Sequence, residues 1–282
     1  MKYFIVDAFS SHPFGGNTAG VVLLDNDVFP DESLMLRVAA ELRYSETAFV
    51  RKDAPNEFTV RYFTPLNEVD LCGHATIASF ATMHSLGIAG GTCLVHTLAG
   101  DITVKADATV MMQMATPSIV KRLDAADTSE VYRALGIAVP KLISKIPVEI
   151  VSTGLPDIML CIDSINELNT LQPNMDAVAA ITQRLGAISL HPYAFGSDGY
   201  TAHVRDFAPA CGIPEESATG TANASLTHHL AIHGLVKPDA QFKFLQGEAM
   251  GRPSVVETCL TEDGSVWVGG PATIVAEGKL LV

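Results

Sequence analysis

Two short segments of this chain place a glycine at the head of an uncharged stretch, next to residues that can move protons or bind anions. They are Cys72-Gly73-His74 and Thr219-Gly220-Thr221. If each glycine opens a helix, the unpaired backbone N–H groups there can bind a carboxylate, with about 0.3–1 kcal/mol from an exposed helix start and up to about 2 kcal/mol from a partly buried one. The alternative is that both glycines only permit a tight entry into the helix.

Glu46 is the candidate general base. It follows an apolar helical pattern and precedes the apolar run 47–50. A partly apolar environment would raise its pKa and let it act first as a base and then as an acid. A solvated Glu also fits the local sequence. Glu215 and Glu216, just before the second glycine, are either site residues or first-turn acids that complement the helix dipole.

Cys72 and a histidine pair are further candidates. Cys72 precedes a predicted helix start, where a thiolate is stabilised, so it is either a nucleophile or base, or a small buried residue. His229 and His233 have metal-ligand spacing but lack the His-Glu-x-x-His context, and we interpret them as structural. The chain contains neither a P-loop nor a GxGxxG motif, so no nucleotide cofactor is indicated.

Both glycine segments belong to a diverged internal duplication. RYFTP at 61–65 returns as RDFAP at 205–209, and the glycines at 87 and 234 each lie 14 residues after their opening glycine. From the proline to the opening glycine the first copy has 8 steps and the second has 11. Two helices that follow matching strands predict a pseudo-twofold pair of domains whose helix starts face a shared cleft.

The helical stretches of the two copies predict the fold class. Residues 74–86 and 221–236 contain no Asp, Glu, Lys or Arg. A helix without a charged face must be buried nearly all round, so we predict an α+β fold in which each domain is a curled, mainly antiparallel sheet around one central helix. We expect other helices at 31–44, 124–135 and 176–185, and strands at 3–9, 19–24, 47–51, 58–63 and within 92–115, 148–162 and 187–207.

Length and charge limit the function classes. A chain of 282 residues fits two domains, which we place at 1–117, joined by the C-terminal strand 271–282, and at 118–270. The formal charge of −13, without a basic run, argues against nucleic acid and anionic membranes as partners. Only 17% of residues are charged, which favours a homo-oligomer with apolar surface in its interface.

Cysteine usage and the N-terminus indicate a cytoplasmic protein. Five cysteines without a CxxC motif indicate neither a disulfide framework nor a zinc site. The apolar run 3–6 stops at Asp7, far short of a signal-peptide core, and no later stretch has the length of a membrane span.

Five segments carry a family resemblance. DAFSSHPFGGNTAGVVLL, SETAFV, FTPLNEVDLCGHATIASF, VSTGLP and FAPACGIPEESATGTANASL together resemble the PhzF-like family, named for phenazine biosynthesis, in the family's order. The resemblance implies the diaminopimelate-epimerase-like fold and an isomerase that needs no cofactor, metal or nucleotide and is usually a homodimer. The founding member acts on a dihydro-hydroxyanthranilate.

The resemblance also implies roles for individual residues. Glu46, in SETAF, is similar to the acid/base that removes a proton from one ring carbon and returns it to another, and His74, in LCGHAT, to a polar partner that orients the substrate. Where the family commonly has EDPATGS, this chain has Glu216 for Asp, Ser217 for Pro and Thr221 for Ser, and Thr18 replaces Pro in the GNPA segment. The full set of expected site residues comprises the catalytic group Glu46, His74 and Glu216 and the substrate-binding group Asn17, Gly73, Thr219, Gly220 and Thr221.

Three functions follow as hypotheses. The first is an isomerase that shifts a proton within a small carboxylate-bearing metabolite. The second is an amino-acid racemase or epimerase that uses Cys72, which resembles one of the paired cysteines of diaminopimelate epimerases. No second Cys lies beside Thr219 and Gly220, but Cys211, nine residues before Gly220, stays open as the second cysteine. The third is a catalytically inactive protein that binds a small anion or has a regulatory role.

Overall fold

The computed structural model describes residues 1–25, 28–140, 146–196, 198–237 and 240–282. Its strands are β1 (Lys2–Ala8), β2 (Asn17–Leu23), β3 (Thr47–Ala54), β4 (Glu57–Phe63), β5 (Glu68–Val69), β6 (Gly91–Thr97), β7 (Gly100–Ala106), β8 (Val110–Gln113), β9 (Ser118–Arg122), β10 (Glu149–Ser152), β11 (Pro156–Cys161), β12 (Ser189–Phe195), β13 (Ala202–Val204), β14 (Gln241–Gln246), β15 (Ser254–Leu260), β16 (Val266–Gly270) and β17 (Ala272–Lys279). Its helices are α1 (Glu32–Leu42), α2 (Gly73–Ser85), α3 (Ala125–Ala134), α4 (Ile165–Thr170), α5 (Met175–Leu185) and α6 (Gly220–Ile232), with short 3₁₀ turns at Pro209–Cys211 and Glu248–Met250.

The chain divides into two compact units. Unit 1 comprises Met1–Gln113 and Gly269–Val282, and unit 2 comprises Met114–Val268. The sequence prediction placed the corresponding boundaries after residues 117 and 270.

Unit 1 is a sheet of mainly antiparallel strands around α2. Antiparallel pairs join β1 to β2 and to β17, β3 to β4, β6 to β7 and β7 to β8, whereas β2–β3 and β4–β6 are parallel. Helix α2 contacts β1, β2, β3, β7, β8 and β17. The amphipathic helix α1 packs Met35, Val38 and Ala39 against Val22, Phe49 and Phe63.

Unit 2 repeats this plan with α6 as its central helix. Its ladders are antiparallel for β9–β10, β10–β11, β12–β13 and β14–β15 and parallel for β11–β12 and β13–β14. Helix α6 contacts β10, β11 and β15. Residues of α3, α4 and α5 form a separate apolar cluster with β10, β11 and β12. The predicted α+β fold, with a curled sheet around a central helix in each unit, is therefore confirmed.

The two central helices have the same length and the same ending. Each has 13 residues. Gly87 and Gly234 follow their ends with φ of 67° and 69°, a left-handed conformation that favours glycine. The amide of Gly87 bonds to His84 O, and that of Gly234 bonds to Ala231 O. The repeated closing glycines thus end the two helices in the same way.

The central helices bury their polar side chains by bonding them to their own backbone. The hydroxyls of Thr76, Ser79 and Thr82 in α2 donate to carbonyls four residues earlier along the chain. In α6 the side-chain amide of Asn223 and the hydroxyl of Thr227 do the same. Since buried polar groups without a partner are costly, these bonds allow the uncharged helices to be enclosed.

The duplication also extends to an arginine–glutamate pair. Arg61 bonds both carboxylate oxygens of Glu68 at 2.6 Å, and Arg205 bonds both oxygens of Glu215 at 2.8 Å. Each glutamate lies five residues before its opening glycine. Each arginine also covers the ring of the phenylalanine two residues after it, at 5.3 and 4.8 Å from the ring centroid. Glu215 therefore serves this pair and is not a first-turn acid of α6.

Some elements were not predicted from the sequence. Helix α4 is one, although its start carries a capping-box pattern in which Ser164 Oγ accepts from the amide of Glu167. Strand β9, whose residues are all exposed, is another. Among the described residues, no helix has the length and apolar character needed to cross a membrane.

Candidate active site

Five of the eight predicted site residues fall into two clusters, one in each unit, which we describe separately. The other three, Gly73, Gly220 and Thr221, are the first residues of α2 and α6. The Glu46 cluster of unit 1 consists of Asn17, Ser45, Glu46, Cys72 and His74. The Asp206 cluster of unit 2 contains two of the predicted residues, Glu216 and Thr219, together with Asp157, Ser189, His191, Asp206 and Gln246, which were not predicted from the sequence.

His74 lies at the centre of the Glu46 cluster. It is the second residue of α2 and only 5% exposed. Its Nε2 is 3.2 Å from Glu46 Oε2 and 3.3 Å from Ser45 Oγ. Its Nδ1 is 3.3 Å from Asn17 Nδ2 and 3.4 Å from Cys72 Sγ. One imidazole therefore connects Glu46, which directly precedes β3, to residues at the starts of β2 and α2.

A tight loop before β2 brings Asn17 to this cluster. Gly16 has a φ of 65°, and a Cβ there would lie 2.1 Å from Ala8 O, so only glycine fits. The Asp7 carboxylate accepts hydrogen bonds from the amide of Phe14 and the hydroxyl of Thr18. The Thr that replaces the family's Pro at position 18 thus supplies a hydroxyl that ties the loop to β1.

The pKa predicted for Glu46 from the sequence is wrong in direction. Burial by itself would raise it, but the hydrogen bond and charge of His74, with smaller contributions from Ser45 and Cys72, hold the pKa of Glu46 below its usual range. Burial lowers the pKa of His74, but Cys72 and Glu46 outweigh it and raise that pKa well above its usual range. Burial raises the pKa of the Cys72 thiol. The cluster therefore pairs the Glu46 carboxylate with the His74 ring, whose raised pKa favours its protonated form.

In the Asp206 cluster, Thr219 joins two carboxylates. Its hydroxyl lies 2.9 Å from Glu216 Oε2 and 3.1 Å from Asp206 Oδ2. The buried Gln246 donates through Nε2 to Thr219 Oγ1 at 3.1 Å and accepts through Oε1 from the amide of Thr219 at 3.0 Å. These bonds fix Thr219 and Glu216 directly before α6.

The segment before α6, in which Glu216 and Ser217 depart from the family pattern, is held by hydrogen bonds of its backbone. The amide of Glu216 donates to Asp206 O at 3.0 Å, and its carbonyl accepts from Gln246 Nε2 at 2.8 Å. A Cβ on Gly247 would lie 2.7 Å from Ser217 O, which shows how closely the two chains approach. Ser217 lacks the fixed φ of proline, but hydrogen bonds to Gln246 hold Glu216 directly before it and Thr219 two residues after it.

Neither central helix is capped by its own N-cap side chain. Cys72 and Thr219 occupy these N-cap positions and make no side-chain cap bond. In contrast, the N-cap side chains of α3, α4 and α5 accept from the amide of the third helical residue, whereas Asp31 at the start of α1 makes no such bond. The amides of Gly73 and Gly220, the first residues of α2 and α6, are therefore not bonded by these N-cap side chains.

Among the described residues, two groups offer three metal-ligating atoms close together. One is Glu46, Cys72 and His74, and the other is Glu149, His229 and His233. In the second group the Glu149 carboxylate accepts from His229 Nδ1 at 3.1 Å, His233 Nε2 at 2.8 Å and Arg122 at 2.9 Å. This buried carboxylate thus has a hydrogen-bonding role for both histidines, in agreement with their structural interpretation.

Comparison with known proteins relates these clusters to one family. The sequence profile described as phenazine biosynthesis-like protein (PhzC-PhzF) matches residues 6–278. The protein named uncharacterized isomerase YddE of Salmonella typhimurium is 33% identical over 97% of this chain and 96% of its own length. The trans-2,3-dihydro-3-hydroxyanthranilate isomerase of Pseudomonas chlororaphis is 31% identical over 90% of this chain and 88% of its own.

A solved structure agrees with the fold. The phenazine biosynthesis protein of the PhzF family from Bacillus anthracis superposes with a TM-score of 0.86 at 23% identity, covering 100% of this chain and 99% of that one. Its likeness extends over both units. Since the profile match and the named isomerases also span nearly the whole chain, this protein is an isomerase-type enzyme of the phenazine biosynthesis-like (PhzF) family.

Proposed function

We propose that this PhzF-family isomerase moves a proton from one carbon to another within a small carboxylate-bearing metabolite, with Glu46 as the proton carrier. The observation that carries the proposal is the 3.2 Å pair between Glu46 Oε2 and His74 Nε2. It supports an ionised carboxylate that is largely shielded from water, with 16% of its side chain exposed. Such a carboxylate is ready to accept a proton without prior deprotonation.

The proposed step conserves protons. The Glu46 carboxylate takes a proton from a carbon next to an electron-withdrawing group, and the resulting carboxylic acid returns it to another carbon of the same molecule. A lowered pKa makes Glu46 a weak base but a strong acid, which favours the return step. His74 stays charged and stabilises the carboxylate before and after the transfer.

Other predicted site residues have supporting roles in this proposal. The uncapped helix starts at Gly73 and Gly220 are suited to bind carboxylates through backbone N–H groups. Each such start supplies at most about 2 kcal/mol to a carboxylate, so further contacts, such as those of Asn17 in unit 1 or Thr221 in unit 2, must supply the rest of the affinity. Glu216 is the second candidate acid.

The test is hydrogen exchange in D₂O. The compound named in the Pseudomonas relative, trans-2,3-dihydro-3-hydroxyanthranilate, is the first probe, followed by a panel of small unsaturated carboxylates. Glu46→Gln keeps the size of the side chain and removes its basicity, so substrate-dependent incorporation of deuterium at carbon should fall about 10²-fold or more. Glu57→Gln, an exposed carboxylate of unit 1 paired with His96, is the matched control and should keep the wild-type rate.

The same experiment separates the alternatives. A racemase based on Cys72 would keep exchange in Glu46→Gln and lose it in Cys72→Ser. The raised thiol pKa values of Cys72 and Cys211, both due first to burial, argue against thiolate bases. A protein that only binds small anions would still bind the carboxylate-bearing probes, but even the wild type would incorporate no deuterium at carbon.

A further inference from the structure

The buried centre of unit 2 places two aspartates on one serine. Ser189 Oγ lies 2.9 Å from Asp157 Oδ1 and 2.7 Å from Asp206 Oδ1. All three side chains are at least 98% buried. A serine hydroxyl has one hydrogen, so it can donate to only one of these carboxyl groups. The other group must bring its own proton, because two oxygens without a hydrogen between them repel at this distance.

The surrounding contacts identify which aspartate is ionised. Asp206 Oδ1 also faces His191 Nδ1 at 2.9 Å, and Asp206 Oδ2 faces the hydroxyl of Thr219 at 3.1 Å. In contrast, Asp157 Oδ2 is buried and has no hydrogen-bond partner among the described residues. A buried anionic oxygen without a donor is much more costly than a buried carbonyl oxygen. The neutral group is therefore Asp157.

We propose that Asp157 carries a proton at neutral pH and that the Asp157–Ser189–Asp206 bridge positions Thr219 and Glu216 at the start of α6. The Asp157 O–H donates to Ser189 Oγ, and the Ser189 hydroxyl donates to the Asp206 carboxylate. Asp206 in turn holds the segment before α6 through its backbone carbonyl, which accepts from the amide of Glu216 at 3.0 Å. Its Oδ2 also lies 3.1 Å from the Thr219 hydroxyl, whose single hydrogen goes either to Asp206 or to Glu216. None of the three bridging residues is expected to touch substrate, so Asp157 and Asp206 are positioning residues. The inference rests on the proposed function only in the role given to Glu216.

The charges around Asp157 agree with this arrangement. Burial first, and then the negative charge of Asp206, raise the pKa of Asp157 well above its usual range, with a smaller contribution from Glu216. Hydrogen bonds with the side chain and backbone of Ser189 offset this rise in the pKa only in part. The other titratable groups near the bridge are His191, bonded to Asp206, and Cys211, whose thiol is influenced by both aspartates. When the pH rises through this raised pKa, a second buried carboxylate forms while Ser189 still has a single hydrogen. The bridge should then break.

Infrared spectroscopy of the intact protein tests the proton directly. At neutral pH the difference spectrum between wild type and Asp157→Asn should contain the C=O band of one protonated carboxylic acid, which shifts in D₂O. The asparagine amide supplies the same donor to Ser189, so this variant should fold. Glu149→Gln is the matched control: the Glu149 carboxyl is buried but its pKa is lowered to about 2, so its difference spectrum should contain carboxylate bands only.

Two further measurements keep the test decisive. In Asp206→Asn the neighbouring negative charge is gone, so the acid band of Asp157 should disappear at a lower pH than in wild type. This measurement remains possible even if Asp157→Asn does not fold. If exchange activity is found, wild type should lose it on the alkaline side, and Asp157→Asn, which cannot ionise, should lack that limb. Carboxylate bands in place of the acid band would overturn the proposal, and they would leave the Glu46 mechanism untouched because infrared detection requires no substrate.

Discussion

At the scale of single residues, the Glu46 cluster shows how one contact reverses the effect of burial. Glu46 is largely enclosed, and enclosure alone would favour its neutral form. The contact with His74 reverses this because an imidazolium 3.2 Å away in a poorly solvated place strongly favours the carboxylate. The low pKa of Glu46 is therefore a property of the pair.

Removing the charge of His74 should move the acid limb of the pH profile. In wild type, activity that needs the Glu46 carboxylate is lost as the pH falls through a pKa that lies below 4.5. In His74→Gln the effect of burial remains and the imidazolium is gone, so the pKa of Glu46 rises and this limb moves to higher pH. The measurement is the rate of substrate-dependent exchange between pH 3.5 and 8, a window chosen around the ordinary pKa values of Glu and His, about 4.3 and 6.5.

His96→Gln is the control for that profile. His96 Nε2 also lies 3.1 Å from a carboxylate, that of Glu57, but this pair is half-exposed. Its loss should leave the acid limb in place. An acid limb that stays unchanged in His74→Gln as well would show that Glu46 does not set it.

At the scale of secondary-structure elements, a repeated ion pair precedes each central helix. In both copies an arginine at or just after a strand end holds a glutamate five residues before the opening glycine. The bidentate geometry fixes direction as well as distance. In unit 2 the arginine has two further acceptors, Leu168 O and Leu171 O at 3.1 Å, which connect the pair to α4. This pair thus sets how the chain enters α6.

The two pairs should differ in their contribution to stability. Arg205 is 8% exposed and Glu215 is 15% exposed, so Glu215→Gln leaves a nearly buried charge without its counterion and should cost about 3–5 kcal/mol. Glu68→Gln should cost closer to about 1 kcal/mol, because Arg61 is more exposed and keeps Glu32 at 3.3 Å. Urea denaturation of both variants measures the difference. Equal losses would contradict the assigned roles.

At the scale of the whole molecule, we expect a homodimer. The charged fraction of 17% is low for a soluble chain. On β9 the apolar side chains Ile119 and Val120 are 44% and 57% exposed. Apolar surface of this kind is commonly covered by a partner subunit. Multi-angle light scattering at micromolar concentration should give about twice the chain mass of 29.9 kDa.

A variant tests whether β9 belongs to the expected interface. Replacing both Ile119 and Val120 with Lys should shift the species toward the monomer if the strand is covered by the partner, since burying two charges there is costly. Thr92→Lys, at an exposed position of β6 in unit 1, is the surface control. A wild-type protein that elutes as a clean 29.9 kDa species would refute the dimer itself.

The sequence by itself determined the architecture and the chemical candidates in unit 1. Two uncharged stretches headed by Gly73 and Gly220 sufficed to predict two buried central helices, because the absence of a charged face is a local property of the chain. The lone Glu46 and the helix start at His74 could likewise be singled out from residue type and position. The missed helix α4 carried a readable signal in Ser164 and Glu167.

Only the tertiary structure decided how these groups are charged and which partners they have. The direction of the Glu46 pKa depends on a contact with a residue 28 positions away, and the Asp157–Ser189–Asp206 bridge joins two adjacent strands to the segment before α6. Hydrogen bonds and charge effects act over a few ångströms, and strand register sets those distances. No local pattern around Asp157 or Asp206 indicates that they share one serine, because their proximity is created by the folding of distant segments.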